Sequence, residues 1–549
     1  MVKSFFKNST SILFRRQTTI LSAAAILMVL VLASRILGLI RNRILAGYFG
    51  AGPELDIYNA SFVLPDLITN LLITGALSVA FIPIFTSFLV EKKEKEAWEM
   101  SSSLINFSLV FFSFAAVLIF IFANSLTQVI VPGYTVAQQA QVAELTRFLV
   151  FAELLLILGN FFTSILQSFN HFVITALAPV MYNLGIIAGI LWLTPLFGVK
   201  GVAFGVILGA LLHLIIQVPL AKSLGFNYRL AFDHKNVGVR RVAKLSLPRV
   251  VGVGLGQFEW VVSIFLASLL TTGSVTILKF SFDLQNFPIG LFGVTIATAA
   301  LPTLSVEWAN KKAEEFKETF LSSLHQIMYL AVPMSVILIV LRIPVTRLIL
   351  GSGKFDWSDT VHTATTLSFF ALGIFAQASF LIVARAFYAM HDTLTPVKVA
   401  FGSLLLHILL SIFFVNQFGY VAYLALASSF AGIFSFLALL YLLNKKIGGF
   451  DRKRLVLPAV KTFLASVVMG ISIYIPVKLL DTFIIDTTRT VNLVILVGFV
   501  TLLGLSLYLL VTWWLKSEEL AIFTRLIVRL KDWRKILAPV EAAEKVDSS

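Results

Sequence analysis

The chain is predicted to be an all-α polytopic membrane protein of about fourteen transmembrane helices, built as two parallel six-helix repeats followed by two C-terminal helices. Composition is the first observation behind this class. The 549 residues are 58% hydrophobic and only 13% charged, with a mean hydropathy of +0.93, whereas soluble domains carry about 25% charged residues. The second is a series of apolar runs, each near the ~20 residues that cross a bilayer core. The third is an internal repeat.

Bounded by charge or by Gly and Pro, the runs place spans at 20–47, 57–89, 101–131, 146–168, 173–196 and 201–221 in the first half. The second half gives 246–271, 276–306, 320–341, 361–388, 396–416, 419–443, 457–480 and 491–515. The connecting loops leave no room for a soluble catalytic domain. The first run is long, has no small-residue cleavage site after it and leads into further spans, so it does not read as a signal peptide.

Basic residues near span ends orient the chain. They crowd the N-terminal tail (Lys3, Lys7, Arg15, Arg16), the loop from Lys222 to Lys244, and the stretch from Lys445 to Arg454. Alternate loops are poor in them; the loop with Arg342, Arg347 and Lys354 dissents. Both termini are therefore expected in the cytoplasm. The tails read as amphipathic. In LAIFTRLIVRLKDWRKIL, Leu520, Phe523, Ile527, Leu530 and Trp533 recur at helical spacing against Arg525, Arg529, Lys531 and Lys535, which suits an anionic leaflet surface; a solvated tail is the alternative.

The third observation is self-similarity. SFVLPDLITNLLITGALSVAFIP (Ser61 to Pro83) returns as SFDLQNFPIGLFGVTIATAALP (Ser281 to Pro302), each leading into a mixed-charge loop. LQSFNHFVITALAPV echoes ARAFYAMHDTLTPV, and LFGVKGVAFG echoes QFGYVAYLA. Spans one to six thus recur as seven to twelve in the same order and orientation, an arrangement suited to alternating access. The expected organisation is a tail (1–19), a first lobe (20–222), a basic loop (223–245), a second lobe (246–444), two further spans (445–515) and a tail (516–549).

Composition also excludes. With no cysteine, disulfides and thiolate chemistry are out. The seven histidines show no metal spacing, so no metal or cofactor is expected. The net charge of +15 follows membrane topology, so nucleic acid is not a partner. GVGLG (Gly252 to Gly256) lacks the strand–helix context of a nucleotide loop, and Gly201, Gly205 and Gly209 are spaced for close helix packing.

The stretch ASRILGLIRNRILAGYFGAG (Ala33 to Gly52) sets cations in or beside hydrocarbon, at roughly 2.5–3.5 kcal/mol each on insertion scales. On a helix Arg35, Gly38 and Asn42 share one stripe, with Arg41 at its border and Ser34 and Gly38 thinning the surface. The run from Leu21 to Phe49 is about 43 Å long as a helix, so it must tilt or break within a ~30 Å core. Arg35 and Arg41 then face a wet cavity, where a guanidinium fork suits phosphate. Snorkelling to the interface is the alternative, and the better account of Arg43. Asp56, Asp66, Glu153, Arg249, Glu259, Lys279, Asp283 and Arg385 also enter spans. Lys279 and Asp283, four apart, either neutralise each other or serve a cavity.

Together SRILGLIRNRILAGYFGAGPELDIYNASFVLPDL, GALSVAFIPIF, LFGVTIATAALPTLS, GKFDWSDT and RAFYAMHDTLTPVKVA resemble the MurJ (MviN-type) lipid II flippases. These lie within the multidrug/oligosaccharidyl-lipid/polysaccharide exporters. The resemblance implies two six-helix lobes around a cationic cavity, with a groove for a polyprenyl tail beside the last two helices. It also implies movement of undecaprenyl-pyrophosphate-linked peptidoglycan precursor (lipid II) from the inner to the outer leaflet of the bacterial cytoplasmic membrane. The chain is expected to act as a monomer among membrane lipids, driven by a coupling ion or the membrane potential.

Ser34, Arg35, Arg41 and Asp56 match the family's functional positions. Asn42 stands where an aspartate is usual, and Thr69 and Asp283 where arginines are common. The resemblance thus nominates Ser34, Arg35, Arg41, Asn42, Asp56, Thr69 and Asp283 for substrate binding. Asp56, Glu153, Lys279 and Arg385 are nominated for gating or coupling. Either the first lobe holds most of the anionic substrate, or the chain exports another polyprenyl-linked glycan or a drug. A membrane glycosyltransferase would need a DxD metal site or paired carboxylates at a loop, and a scaffold would need an interaction domain; the sequence offers neither.

Overall fold

In the computed structural model, residues 20–72, 81–483 and 489–521 are described. Among them the secondary structure is helical throughout, without a strand. Eleven helices are long and apolar enough to cross a membrane. The pair Trp357–Ala371 and Ile374–Ala389, bent by 41°, makes a twelfth if it is one span. The two remaining expected spans stand apart from that count. The first is the continuous helix Ile20–Phe49, whose charged second half carries three arginines. Of tilting or breaking, breaking is therefore out. The second is divided into Pro53–Ser61, Val63–Leu72 and Ile82–Val90, and 73–80 lie outside the described residues. The predicted tails 1–19 and 522–549 also lie outside them.

Local chemistry accounts for helix ends. Thr135 and Gln138 form a reciprocal capping box at the start of Val136–Ser168, and Asp356 accepts from Asp359 N at 2.8 Å at the start of Trp357–Ala371. The basic connection expected at 223–245 turns helical from Val237, where Asn236 Oδ1 accepts from Gly238 N (2.9 Å) and Val239 N (3.3 Å) as Val237–Ser268 begins. The preceding stretch of chain is docked on Glu94–Ile130. There Asn106 Nδ2 donates to the carbonyls of Arg229 (3.1 Å) and Ala231 (2.8 Å), and Tyr228 Oη donates to Asn106 Oδ1 (2.6 Å). The dissenting Arg342 and Arg347 lie on a short helix, Arg342–Leu350, where Arg347 covers the Trp357 ring at 5.9 Å.

The repeat is visible in hydrogen bonds and backbone angles. Ser61 Oγ donates to Val142 O at 3.3 Å, and its counterpart Ser281 donates to Thr363 O at 3.0 Å. The rare left-handed conformation also recurs at matching places. Lys92 (φ 58°) answers Lys311 (57°), Asn170 (61°) answers His391 (59°), and Gly198 and Gly419 share 59°. Non-glycine residues seldom adopt φ > 0, so their recurrence at matching places shows the same backbone turns repeated in the two copies.

By internal packing the chain divides into two units. One comprises the described residues to Leu45 with Pro53–Val261; the other comprises Ala46–Gly52 and the described residues from Val262. The first unit is held by an aromatic core in which Phe85 and Phe169 both contact Trp98, at 5.3 and 5.7 Å between ring centroids. Phe172–Phe197 and Val199–Ser223 approach backbone to backbone. A Cβ on Gly189 would lie 2.3 Å from Gly205 Cα, and one on Gly209 would lie 2.4 Å from Tyr182 O, which is the role expected of Gly205 and Gly209. In the second unit the two C-terminal helices, Arg452–Phe483 and Thr490–Trp514, pack on Ala313–Val340 through Tyr329, Met469, Ile473, Leu496 and Tyr508. The link Ala46–Gly52 is pinned there, with Lys354 N donating to Gly47 O (2.9 Å) and Ala51 N to Asp359 Oδ2 (2.8 Å).

Candidate functional site

The site in the first unit starts from one side chain. Arg41 Nε and Nη2 donate to Asn42 Oδ1 at 3.2 and 2.9 Å, and Nη1 donates to Asn183 Oδ1 at 3.1 Å. Asn183 sits on Phe172–Ala188. Its Nδ2 donates to Ser34 O (3.3 Å), Ser34 Oγ (3.4 Å) and Pro179 O (3.1 Å). One amide therefore ties both ends of the Ser34–Arg41 segment to a neighbouring helix. Gly38 lies alongside, where a Cβ would stand in ordinary contact with Asn183 Oδ1 at 3.9 Å.

These partners fix the guanidinium without cancelling its charge. Amide oxygens are neutral acceptors, and among the described residues no carboxylate lies within ion-pair distance of Arg41. A guanidinium has five N–H donors, three of them committed here. Arg35 is half-buried on the same helix, about 9 Å along the axis from Arg41.

Around Arg41 lies a buried polar group. Tyr58 and Tyr182 are both within electrostatic reach of Arg41 and Asp66. Glu153, 3% exposed, projects from Val136–Ser168 beside Asp66 and Thr69 on Val63–Leu72. Asp56 is buried too and lies within electrostatic reach of Tyr134. The structure thus brings Ser34, Arg41 and Asn42 together and sets Thr69 with Glu153. Asn183, Tyr58 and Tyr182 were missed by sequence reasoning. Asn183 had a signal: a lone amide within an apolar run is itself costly and needs a partner.

In the second unit Lys279 Nζ lies 2.6 Å from Asp283 Oδ1. The two side chains are therefore paired one helical turn apart, each still partly exposed. Arg385 is half-buried on Ile374–Ala389 and makes no ion pair to a described residue. The Arg41 arrangement in the first unit suits holding an anion.

A family model described as "Lipid II flippase MurJ" matches residues 45–510. The chain belongs to the MurJ family. The match begins after Arg35 and Arg41, so membership and the arginine geometry are independent observations. A relative in Buchnera aphidicola (Acyrthosiphon pisum), "Probable lipid II flippase MurJ", is 28% identical over 83% of this chain and 90% of its own length. One in Haemophilus influenzae with the same description is 28% identical over 81% and 91%. Among solved structures, "Lipid II flippase MurJ, inward closed conformation" superposes with a TM-score of 0.74 at 25% identity, covering 91% of this chain and 99% of that one. An inward-facing MATE-family transporter of the MOP superfamily, at 13% identity and a TM-score of 0.62 over 77% and 98%, shares the fold. MurJ membership makes this a multi-pass membrane protein of a transporter family.

Proposed function

We propose that this chain moves lipid II from the inner to the outer leaflet of the bacterial cytoplasmic membrane by alternating access. It transports its substrate without transforming it, as a monomer, with both termini in the cytoplasm. The observation that carries the reading is Arg41, oriented by Asn42 and Asn183 yet left with its charge. A pyrophosphate is the substrate part that such a fork recognises. Arg35 supplies a second cation, Ser34 and Asn42 shape the site, and Asp56 gates it. Glu153, set beside Asp66 and Thr69, couples transport to a cation or proton. In the other lobe Arg385 is a coupling cation and Lys279 keeps Asp283 from repelling the substrate. The membrane potential contributes about 2.3 kcal/mol per charge per 100 mV.

The test is rescue of a bacterium depleted of its own lipid II flippase. The parent chain restores growth and Arg41→Ala does not; failure of the well-inserted parent would overturn the reading. The threonine and aspartate at 69 and 283 favour a second reading, export of another polyprenyl-pyrophosphate glycan, and genes for that glycan beside this one would support it.

A further inference from the structure

Glu153 sits on a stripe of Val136–Ser168 whose neighbours are fixed. Val142, Thr146 and Glu153 fall within about 40° of one another around a helix. The first two meet Ser61 directly: Ser61 Oγ donates to Val142 O at 3.3 Å, and Thr146 Oγ1 donates to Ser61 O at 3.1 Å. Glu153 follows Thr146 about 10 Å further along, as Asp66 follows Ser61 on Val63–Leu72. There the Glu153 and Asp66 carboxyl groups are hydrogen-bonded to each other.

The second lobe shows that the fold does not require this pair. Ser281 repeats the Ser61 bond by donating to Thr363 O at 3.0 Å, and His391 repeats the left-handed turn of Asn170. The spacing from those anchors puts Asn286 where the first lobe has Asp66, and Ile374 where it has Glu153. Asn286 Nδ2 donates to Phe282 O within its own helix, at 3.0 Å. The same packing is therefore built without a carboxyl group. Two acids kept at depth in one copy alone point to function.

Their surroundings indicate which. Tyr182 on Phe172–Ala188 is within electrostatic reach of Glu153, Asp66, Tyr58 and Arg41, and Tyr58 on Pro53–Ser61 is within reach of Arg41 and Asp66. The acid pair and the guanidinium thus border the same two rings. Of the other helices packed nearby, Glu94–Ile130 carries no titratable residue after Glu99. Val199–Ile215 sets His213 against Gly159, and Val237–Ser268 meets Leu71 at Gly254, between Arg249 and Glu259.

Two carboxyl groups joined by a hydrogen bond hold a proton between them, because one of them must donate; close carboxylates resist ionising together. We propose that Asp66 and Glu153 form a proton-binding site linked to the substrate site: the pair keeps its shared proton while a pyrophosphate lies on Arg41 and gives it up more readily when Arg41 is empty. The reason is electrostatic. A second ionised carboxylate competes with the pyrophosphate for the field of Arg41, and bound pyrophosphate in turn opposes that ionisation. The linkage is reciprocal, as any coupling of two binding equilibria is. The pair sets affinity and is not the motor of transport. This inference rests on the lipid II reading and specifies the coupling role given there to Glu153.

The test is calorimetric titration of lipid II into the full chain in detergent, using buffers of different ionisation enthalpy between about pH 6 and pH 9, where buried carboxyl groups titrate. The pyrophosphate diester stays ionised throughout. The parent takes up protons on binding, and its Kd rises with pH by up to about tenfold per pH unit more steeply than that of Glu153→Gln. Asp66→Asn flattens the profile in the same way, so either variant serves if the other does not fold. Proton counting on the parent needs no variant. Lipid II binding without proton uptake across this range, or parallel profiles in the parent and both variants, overturns the inference and leaves the lipid II reading standing. Affinity that follows sodium concentration at fixed pH also overturns it, in favour of a metal cation. A parent that binds no lipid II at any pH overturns the cargo reading and this inference with it.

Discussion

Asn183 holds Arg41 from one side, its Oδ1 accepting from Nη1 at 3.1 Å, while its amide nitrogen holds the Ser34 turn of the same helix. Orientation of the guanidinium is thus separated from neutralisation of it. Asn183→Ala is expected to lower lipid II affinity roughly tenfold, as loss of a hydrogen bond to a charged group costs about 1.5–3 kcal/mol. Asn183→Asp is expected to do worse despite being nearly isosteric, because a carboxylate there competes with pyrophosphate for Arg41. Binding titrations of both variants check the order; a harmless Asn183→Asp would count against an anionic ligand.

Lys279 and Asp283 make the second prediction. Their ion pair implies that Asp283→Asn leaves lipid II transport intact or improved, whereas Lys279→Ala impairs it by freeing the acid. The double variant recovers toward the parent. Transport lost in Asp283→Asn would instead make the aspartate a ligand for a cationic cargo or coupling ion.

The repeat was legible because its markers are local. Ser61 and Ser281, or Lys92 and Lys311, sit in stretches whose resemblance survives in the sequence, and their bonds and φ angles match. The Lys279–Asp283 pair was legible for the same reason, being one helical turn. Asn183 was not, since its contact with Arg41 bridges 142 positions and no periodicity encodes it. Nor was the passage of Ala46–Gly52 into the other unit, which depends on Asp359 reaching Ala51 N across 308 positions. The break between Trp357–Ala371 and Ile374–Ala389 was also hidden. It centres on Gly373, where a Cβ would stand 2.7 Å from Ser429 Oγ, a tertiary constraint.

Asp392, in the connection before Leu394–Phe418, gives a pH prediction. Burial would raise its pKa, but the Lys446 ammonium and Thr395, whose backbone N donates at 3.0 Å, together hold it down at about 2. A carboxylate depressed in the folded state stabilises above its unfolded value of 3.8, and that contribution is lost as pH falls through the folded value. Asp392→Asn should therefore unfold at lower temperature than the parent at pH 7. The gap should close between about pH 4 and pH 2 in detergent melts. A gap unchanged over that window would remove the ion pair as its cause.

The topology is testable with single cysteines, as the chain has none. Lys235 is exposed in the basic connection and Val136 is exposed at the first position of Val136–Ser168. An impermeant maleimide on intact cells is expected to label Val136→Cys and to spare Lys235→Cys; the reverse pattern would invert the chain.

The most direct measurement is lipid II translocation in vesicles reconstituted with the parent, Arg41→Lys and Arg41→Ala. The parent should transport, Arg41→Lys should transport more slowly because an ammonium lacks the fork, and Arg41→Ala should be close to empty vesicles. Parent-level transport by a correctly folded Arg41→Ala would contradict the assignment of Arg41 as the pyrophosphate ligand.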